Sequence, residues 1–153
     1  MQPIEYSSDE LIRTFSVLLQ SYDLERELAF LGIGRFQFTK RKKARRELTA
    51  LFIALWGLAL QKSFPSEHLL VYEEFLSRYP YTAKGSNKNV ELLLRSVEVY
   101  TTLLDKHKDK DFSEVAEFLT GVLPVETPEK EKARLKMALG IRAMYRLIFD
   151  RLI

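Results

Sequence analysis

A chain of 153 residues with 46% hydrophobic and 29% charged side chains is long enough to bury a core without covalent staples and too apolar to remain disordered. The absence of cysteine excludes disulfides, thiol nucleophiles and Cys-based zinc sites. The net charge of +3 hides an uneven chain: residues 1–34 carry two basic and six acidic side chains, residues 35–46 seven basic and no acidic ones, and residues 47–153 fifteen of each. The polar, acidic start MQPIEYSSDE does not read as a secretory signal. The longest apolar run, Leu48 to Leu60, is shorter than the ~20 residues that cross a bilayer as a helix. A cytoplasmic protein without a transmembrane segment is the expectation.

The first predicted helix opens at Ser7, which with Glu10 forms a capping box, and Asp9 and Glu10 suit the positive end of the helix dipole. Leu11, Phe15, Leu18 and Tyr22 recur at three- and four-residue spacing as an apolar stripe. At Tyr22-Asp23 the phase moves to Leu24, Leu28 and Leu31, which predicts a bend or restart. Gly32 suits a left-handed C-terminal cap.

The second helix should start near Thr39. Its first two turns carry Lys40, Arg41, Lys42, Lys43, Arg45 and Arg46, the wrong sign for a helix start, because each cation opposes the dipole and repels the others. Beyond Arg46 the helix is apolar nearly all round, the mark of a buried central helix over about 41–62. A column of small residues, Ala50, Ala54 and Gly57, marks where a neighbour approaches closely. Pro65 and Ser66 should start a third helix, with Leu69, Tyr72, Phe75, Leu76 and Tyr79 inward and Pro80 as its end. Ser86 or Asn87 caps a fourth, with Val90, Leu93, Leu94, Val97, Tyr100 and Leu104 inward. Asp111 and Glu114 open a short fifth helix carrying Val115, Phe118, Leu119 and Val122. Thr127-Pro128-Glu129 starts the last, with Leu135, Ala138, Leu139, Ile141, Tyr145, Ile148, Phe149 and Leu152 as its apolar set. The prediction is one all-α domain over residues 1–153, a mostly antiparallel bundle of about six helices.

Enzyme chemistry finds no foothold. The two histidines, His68 and His107, lack the Glu-x-x-His pattern of di-metal carboxylate bundles, and neither lies near a serine in a nucleophile context. Gly32-Ile33-Gly34 lacks the third glycine of a dinucleotide loop. The expectation is a non-enzyme with no cofactor, no metal site and no catalytic residue, though a site assembled across helices from Tyr, Arg and Glu would leave no sequence motif.

The one constellation above background is the basic block, whose candidate contacts to an anion or partner are Arg35, Lys40, Arg41, Lys42, Lys43, Arg45 and Arg46. Arg41 with Arg45, and Lys42 with Arg46, form two columns one turn apart. Phe36 and Phe38 interleave with the cations and read either as stacking platforms for single-stranded nucleic acid or, more simply, as core plugs. Asp23, Glu25 and Glu27 lie close enough in sequence to neutralise the block from within. Tyr79 and Tyr81 are expected to cover the core at a helix end. Two functions follow: a non-catalytic bundle acting through a protein partner or self-association, or a nucleic-acid or phosphate-binding domain that uses residues 35–46.

Overall fold

The computed structural model describes residues 7–83, 85–123 and 130–153. Among the described residues there are seven α-helices and no strand: α1 (Ser8–Ser21), α2 (Glu25–Phe30), α3 (Phe38–Ser63), α4 (His68–Thr82), α5 (Asn87–His107), α6 (Ser113–Val122) and α7 (Lys130–Asp150). The expected phase shift at Tyr22-Asp23 is a true break, so the first predicted helix becomes α1 and α2. None of these helices is long and apolar enough to cross a membrane. The predicted start at Thr127-Pro128-Glu129 lies outside the described residues.

The bundle is built around α3. From Leu48 to Leu60 every residue but Thr49 and Gly57 is buried, because α3 packs against α1, α2, α4, α5 and α7 at once. A helix with neighbours on all sides has no polar face to spare, which is why its sequence is apolar all round. Phe15 of α1 stacks on Trp56 at 4.3 Å between ring centroids, and Phe75 of α4 meets both rings edge-on at 5.3 and 5.1 Å. The small-residue column does what its spacing suggests: a Cβ on Gly57 would stand 2.4 Å from the Tyr72 ring, so α4 sits where only glycine admits it.

Local signals fix several ends. Ser7 accepts a hydrogen bond from the Glu10 N–H at 3.2 Å, and Ser86 accepts one from Asn89 at 3.2 Å. Gly32 has φ +70°, and the N–H groups of Gly32 and Ile33 return to Ala29 and Leu28 to close α2. Other expectations need correction. The N-cap of α3 is Gln37 rather than Thr39, and α4 begins at His68 after a turn, with no side-chain cap from Ser66. Pro80 lies inside α4, whose last turn is held by the Ala83 N–H and the Thr82 hydroxyl, both bonded to the Tyr79 carbonyl. In α6, Asp111 caps the Ser113 N–H at 2.9 Å, while Glu114 is drawn to Lys106 and His107 instead.

Two buried faces are rotated from the predicted ones. In α4 the buried residues are Val71 and Phe75, and Leu69 stands exposed on a groove beside Gly57 and Tyr72. In α7 the predicted Ile141, Tyr145, Ile148 and, just beyond, Leu152 are buried, but Ala133, Met137, Gly140 and Met144 join them in place of Leu135 and Leu139. Gly140 admits the Phe30 ring of α2, 3.2 Å from where a Cβ would stand, while Leu135 and Leu139 face outward. Tyr79 packs on Phe75 as expected, but Tyr81 is 91% exposed.

Candidate anion-binding site

The loop that delivers the basic block is closed by three hydrogen bonds. Gly34 N–H donates to the Gln37 side-chain oxygen at 2.9 Å, Gln37 N–H returns to the Gly34 carbonyl at 3.2 Å, and Arg41 N–H binds the Gln37 carbonyl at 2.8 Å. The first turn of α3 contains no acid, and no side chain caps it. The helix therefore starts with its dipole unopposed and with cations added to the positive end, an arrangement that disfavours folding locally.

The structure sends the two columns of cations to different places. Arg41 and Arg45 converge on the same Glu25 oxygen, Arg45 at 2.8 Å and Arg41 closer still, and the Arg41 side chain is only 18% exposed. The hydrogen bond from Arg41, assisted by the charges of Arg41 and Arg45, holds the Glu25 carboxyl below its ordinary range. The second column opens onto a groove of about 330 Å³ between the first turns of α3 and α5. Lys42, Lys43 and Arg46 line it from α3, and Lys88 faces them from α5. Thr39, Ser86 and Asn89 add hydroxyl and amide groups and Leu92 an apolar wall, and among the described residues no carboxylate lines it. The first turn of α5, like that of α3, holds no acid, so two positive helix ends meet at one concavity.

Of the acids expected to neutralise the block, only Glu25 does so. Asp23 accepts a hydrogen bond from the Glu25 N–H at 3.0 Å, which shapes the turn into α2. Glu27 is fully buried and turned the other way: it accepts from the Tyr22 hydroxyl at 2.7 Å and from Arg26 at 3.4 Å. Burial, then the bond to Glu27, pushes the Tyr22 phenol well above its ordinary value. Lys42, Lys43 and Arg35 make no ion pair with a described residue. Arg35 and Lys40 are exposed on the loop and the first turn of α3.

Phe36 and Phe38 are not core plugs. They are 83% and 72% exposed, and neither ring makes an aromatic or cation–π contact with a described residue. The loop closes on backbone and amide hydrogen bonds instead, leaving the rings outside.

Two residues of the site carried weaker signals. Glu47 is buried at the inner end of the groove column; it accepts from Ser96 at 2.6 Å and Tyr100 at 3.2 Å, and Arg46 Nε lies 3.7 Å away. Burial, with the Glu47 charge adding to it, pushes the Tyr100 phenol far up. Glu47 is in phase with Ala50, Leu51, Ala54 and Leu58, so helical periodicity alone places it on a buried face. Lys88 could have been found as a second basic residue in an acid-free helix start.

The remainder of the surface offers less. A cavity near Tyr145 of about 290 Å³ combines Tyr145, Arg142 and Arg146, but its Lys62 is held by Asp109 at 2.5 Å and lies over the Phe149 ring. His68 bonds the Pro65 carbonyl at 3.0 Å, and His107 meets Glu114 at 3.1 Å. Among the described residues no three His, Asp or Glu side chains gather as metal ligands would. Comparison with protein-family models, curated proteins and solved structures yields no match to this chain.

Proposed function

We propose that the protein is a non-catalytic helical module that binds a phosphate-bearing polyanion in the groove between the first turns of α3 and α5. One observation carries this reading. Lys42, Lys43 and Lys88, which make no ion pair with a described residue, line one concavity together with Arg46, whose Nε lies 3.7 Å from buried Glu47, whereas Arg41 and Arg45 share Glu25. Cations stacked against a helix dipole are disfavoured in the free protein, and an anion in the groove relieves both the dipole clash and the mutual repulsion. A cytoplasmic setting fits such a ligand. The test uses inorganic polyphosphate as probe. Affinity should fall steeply with salt and be lost in the Lys42→Gln, Lys43→Gln, Arg46→Gln, Lys88→Gln variant, with helicity by circular dichroism retained. Undiminished binding by that variant would refute the proposal.

A second reading, association with a protein partner or another copy of the chain, draws on α7. Leu135 and Leu139 lie one turn apart, 52% and 67% exposed. Light scattering coupled to size exclusion tests self-association; a strict monomer at high concentration removes that half of it.

A further inference from the structure

Resting on the polyanion reading, the structure points to a more specific ligand: we infer that the protein takes single-stranded nucleic acid, with unpaired bases stacking on Phe36 and Phe38 while the phosphates enter the groove of Lys42, Lys43, Arg46 and Lys88. The two parts adjoin. Phe38 is the first residue of α3, and Thr39, the next, is already part of the groove wall. A bound strand would therefore reach the cations of the groove from the Phe38 end of α3.

The presentation of the rings is built rather than incidental. Gly34 and Gln37 close the loop on each other through two hydrogen bonds, and the Gln37 carbonyl receives the Arg41 N–H that begins the helix. Phe36 and Phe38 stand outside this closed turn, 83% and 72% exposed and without a ring partner among the described residues. Such a turn leaves little loop entropy to lose when a ligand binds. Exposed aromatic rings beside a cationic groove are the two components from which proteins hold unpaired strands, since every base has a face to stack and every nucleotide a phosphate. Duplex bases are already stacked on each other and offer such rings only their edges. An anionic membrane would use the same residue types, and the vesicle arm of the experiment separates it from a single strand.

The experiment compares three probes on the full chain: an oligothymidylate of about 16 nucleotides, a duplex of equal length, and inorganic polyphosphate, with phosphatidylserine vesicles as a fourth arm. The single strand should bind more tightly than the duplex. Phe36→Leu with Phe38→Leu should weaken the single strand by about tenfold or more, because leucine keeps the apolar bulk and removes the stacking face. The same variant should bind polyphosphate as wild type does, with the salt dependence intact. Equal binding of strand and duplex, or an unchanged strand affinity in the leucine variant, would overturn the inference while leaving the groove proposal standing if polyphosphate still binds. Binding of vesicles but not of the strand would overturn it in favour of a membrane surface. Failure to bind either polyphosphate or oligothymidylate would remove both readings together.

Discussion

The two halves of α3 obey opposite rules. From Leu48 to Leu60 nearly every side chain is buried, and the sequence spends its variety on fit: Gly57 for Tyr72, Trp56 for Phe15 and Phe75. From Phe38 to Arg46 the same helix carries six cations and exposes Phe38, and only Ala44 of this stretch is buried in the core. Within that basic half the contrast repeats on a finer scale. Arg41 and Arg45 are answered by Glu25 and Arg46 lies beside Glu47, while Lys42 and Lys43 face Lys88 across a groove. The difference teaches that the charge block is not one feature. One column ties α2 to α3 through Glu25; in the other, Lys42 has no ion pair with a described residue and Arg46 lies beside buried Glu47.

The comparison breaks first, and hardest, in the buried half. Phe52→Ala removes a ring that contacts Phe15 and Tyr22 and should cost about 3–5 kcal/mol in a denaturant titration followed by the single tryptophan, Trp56. Polyphosphate affinity of the folded variant should not change. A loss below about 1 kcal/mol would mean that the core around α3 repacks freely.

Next in size is Glu47→Ala, at the seam between the halves. It leaves the Ser96 and Tyr100 hydroxyls without their acceptor and should cost about 1–3 kcal/mol by the same titration. An unaltered midpoint would argue that α3 and α5 are joined by apolar contact alone.

The sign should reverse in the basic half. Replacing Lys42, Lys43 and Lys88 by Gln relieves the mutual repulsion across the groove and a cation in the first turn of α5, so stability at low salt should rise, by about 0.3–1 kcal/mol for Lys88, as polyanion binding falls. A variant both weaker in binding and less stable would show that these lysines have structural partners.

The smallest effects come with pH. Burial raises the Tyr22 and Tyr100 phenols, so above pH ~10 the unfolded chain releases protons that the folded chain keeps, and stability should fall as the pH rises through that range. The Glu25 carboxyl is shifted the opposite way. Its contribution is present above the unfolded value of 4.5 and disappears as the pH falls through the lower folded value. Glu25→Gln should therefore shave stability slightly at neutral pH and match wild type in strong acid, as read from thermal melts across pH. A constant offset at all pH values would mean that the bonds from Arg41 and Arg45 do not depend on the carboxylate charge.

Much of the fold was legible because it is written in local signals. Ser7, Gly32 and Ser86 act where helix ends need them, and the break at Tyr22-Asp23 shows in the apolar phase. Helix rotation was less legible because it depends on partners distant in sequence. Leu135 and Leu139 have the right spacing for a core, but α7 packs on α3 and α6 and on Phe30 of α2, and those partners leave the two leucines outside. The site divides in the same way. Arg35 to Arg46 stands out by composition, and its two columns follow from helix geometry. The choice between them does not, because it rests on Glu25 reaching α3 across a turn, Glu27 burying itself on Tyr22, and Lys88 arriving from α5. The exposed rings of Phe36 and Phe38 were misjudged for a physical reason: apolar character argues for burial, and nothing local reveals that Gln37 and Gly34 close the loop without them.

The most direct measurement sets the two columns against each other at one salt concentration. Polyphosphate affinity is compared for Arg41→Gln with Arg45→Gln and for Lys42→Gln with Lys43→Gln, two charges removed in each. The first pair should bind nearly as wild type, because Glu25 already occupies those guanidinium groups, and the second should lose about tenfold or more. Equal losses in the two variants would mean that binding responds to total charge and not to the groove.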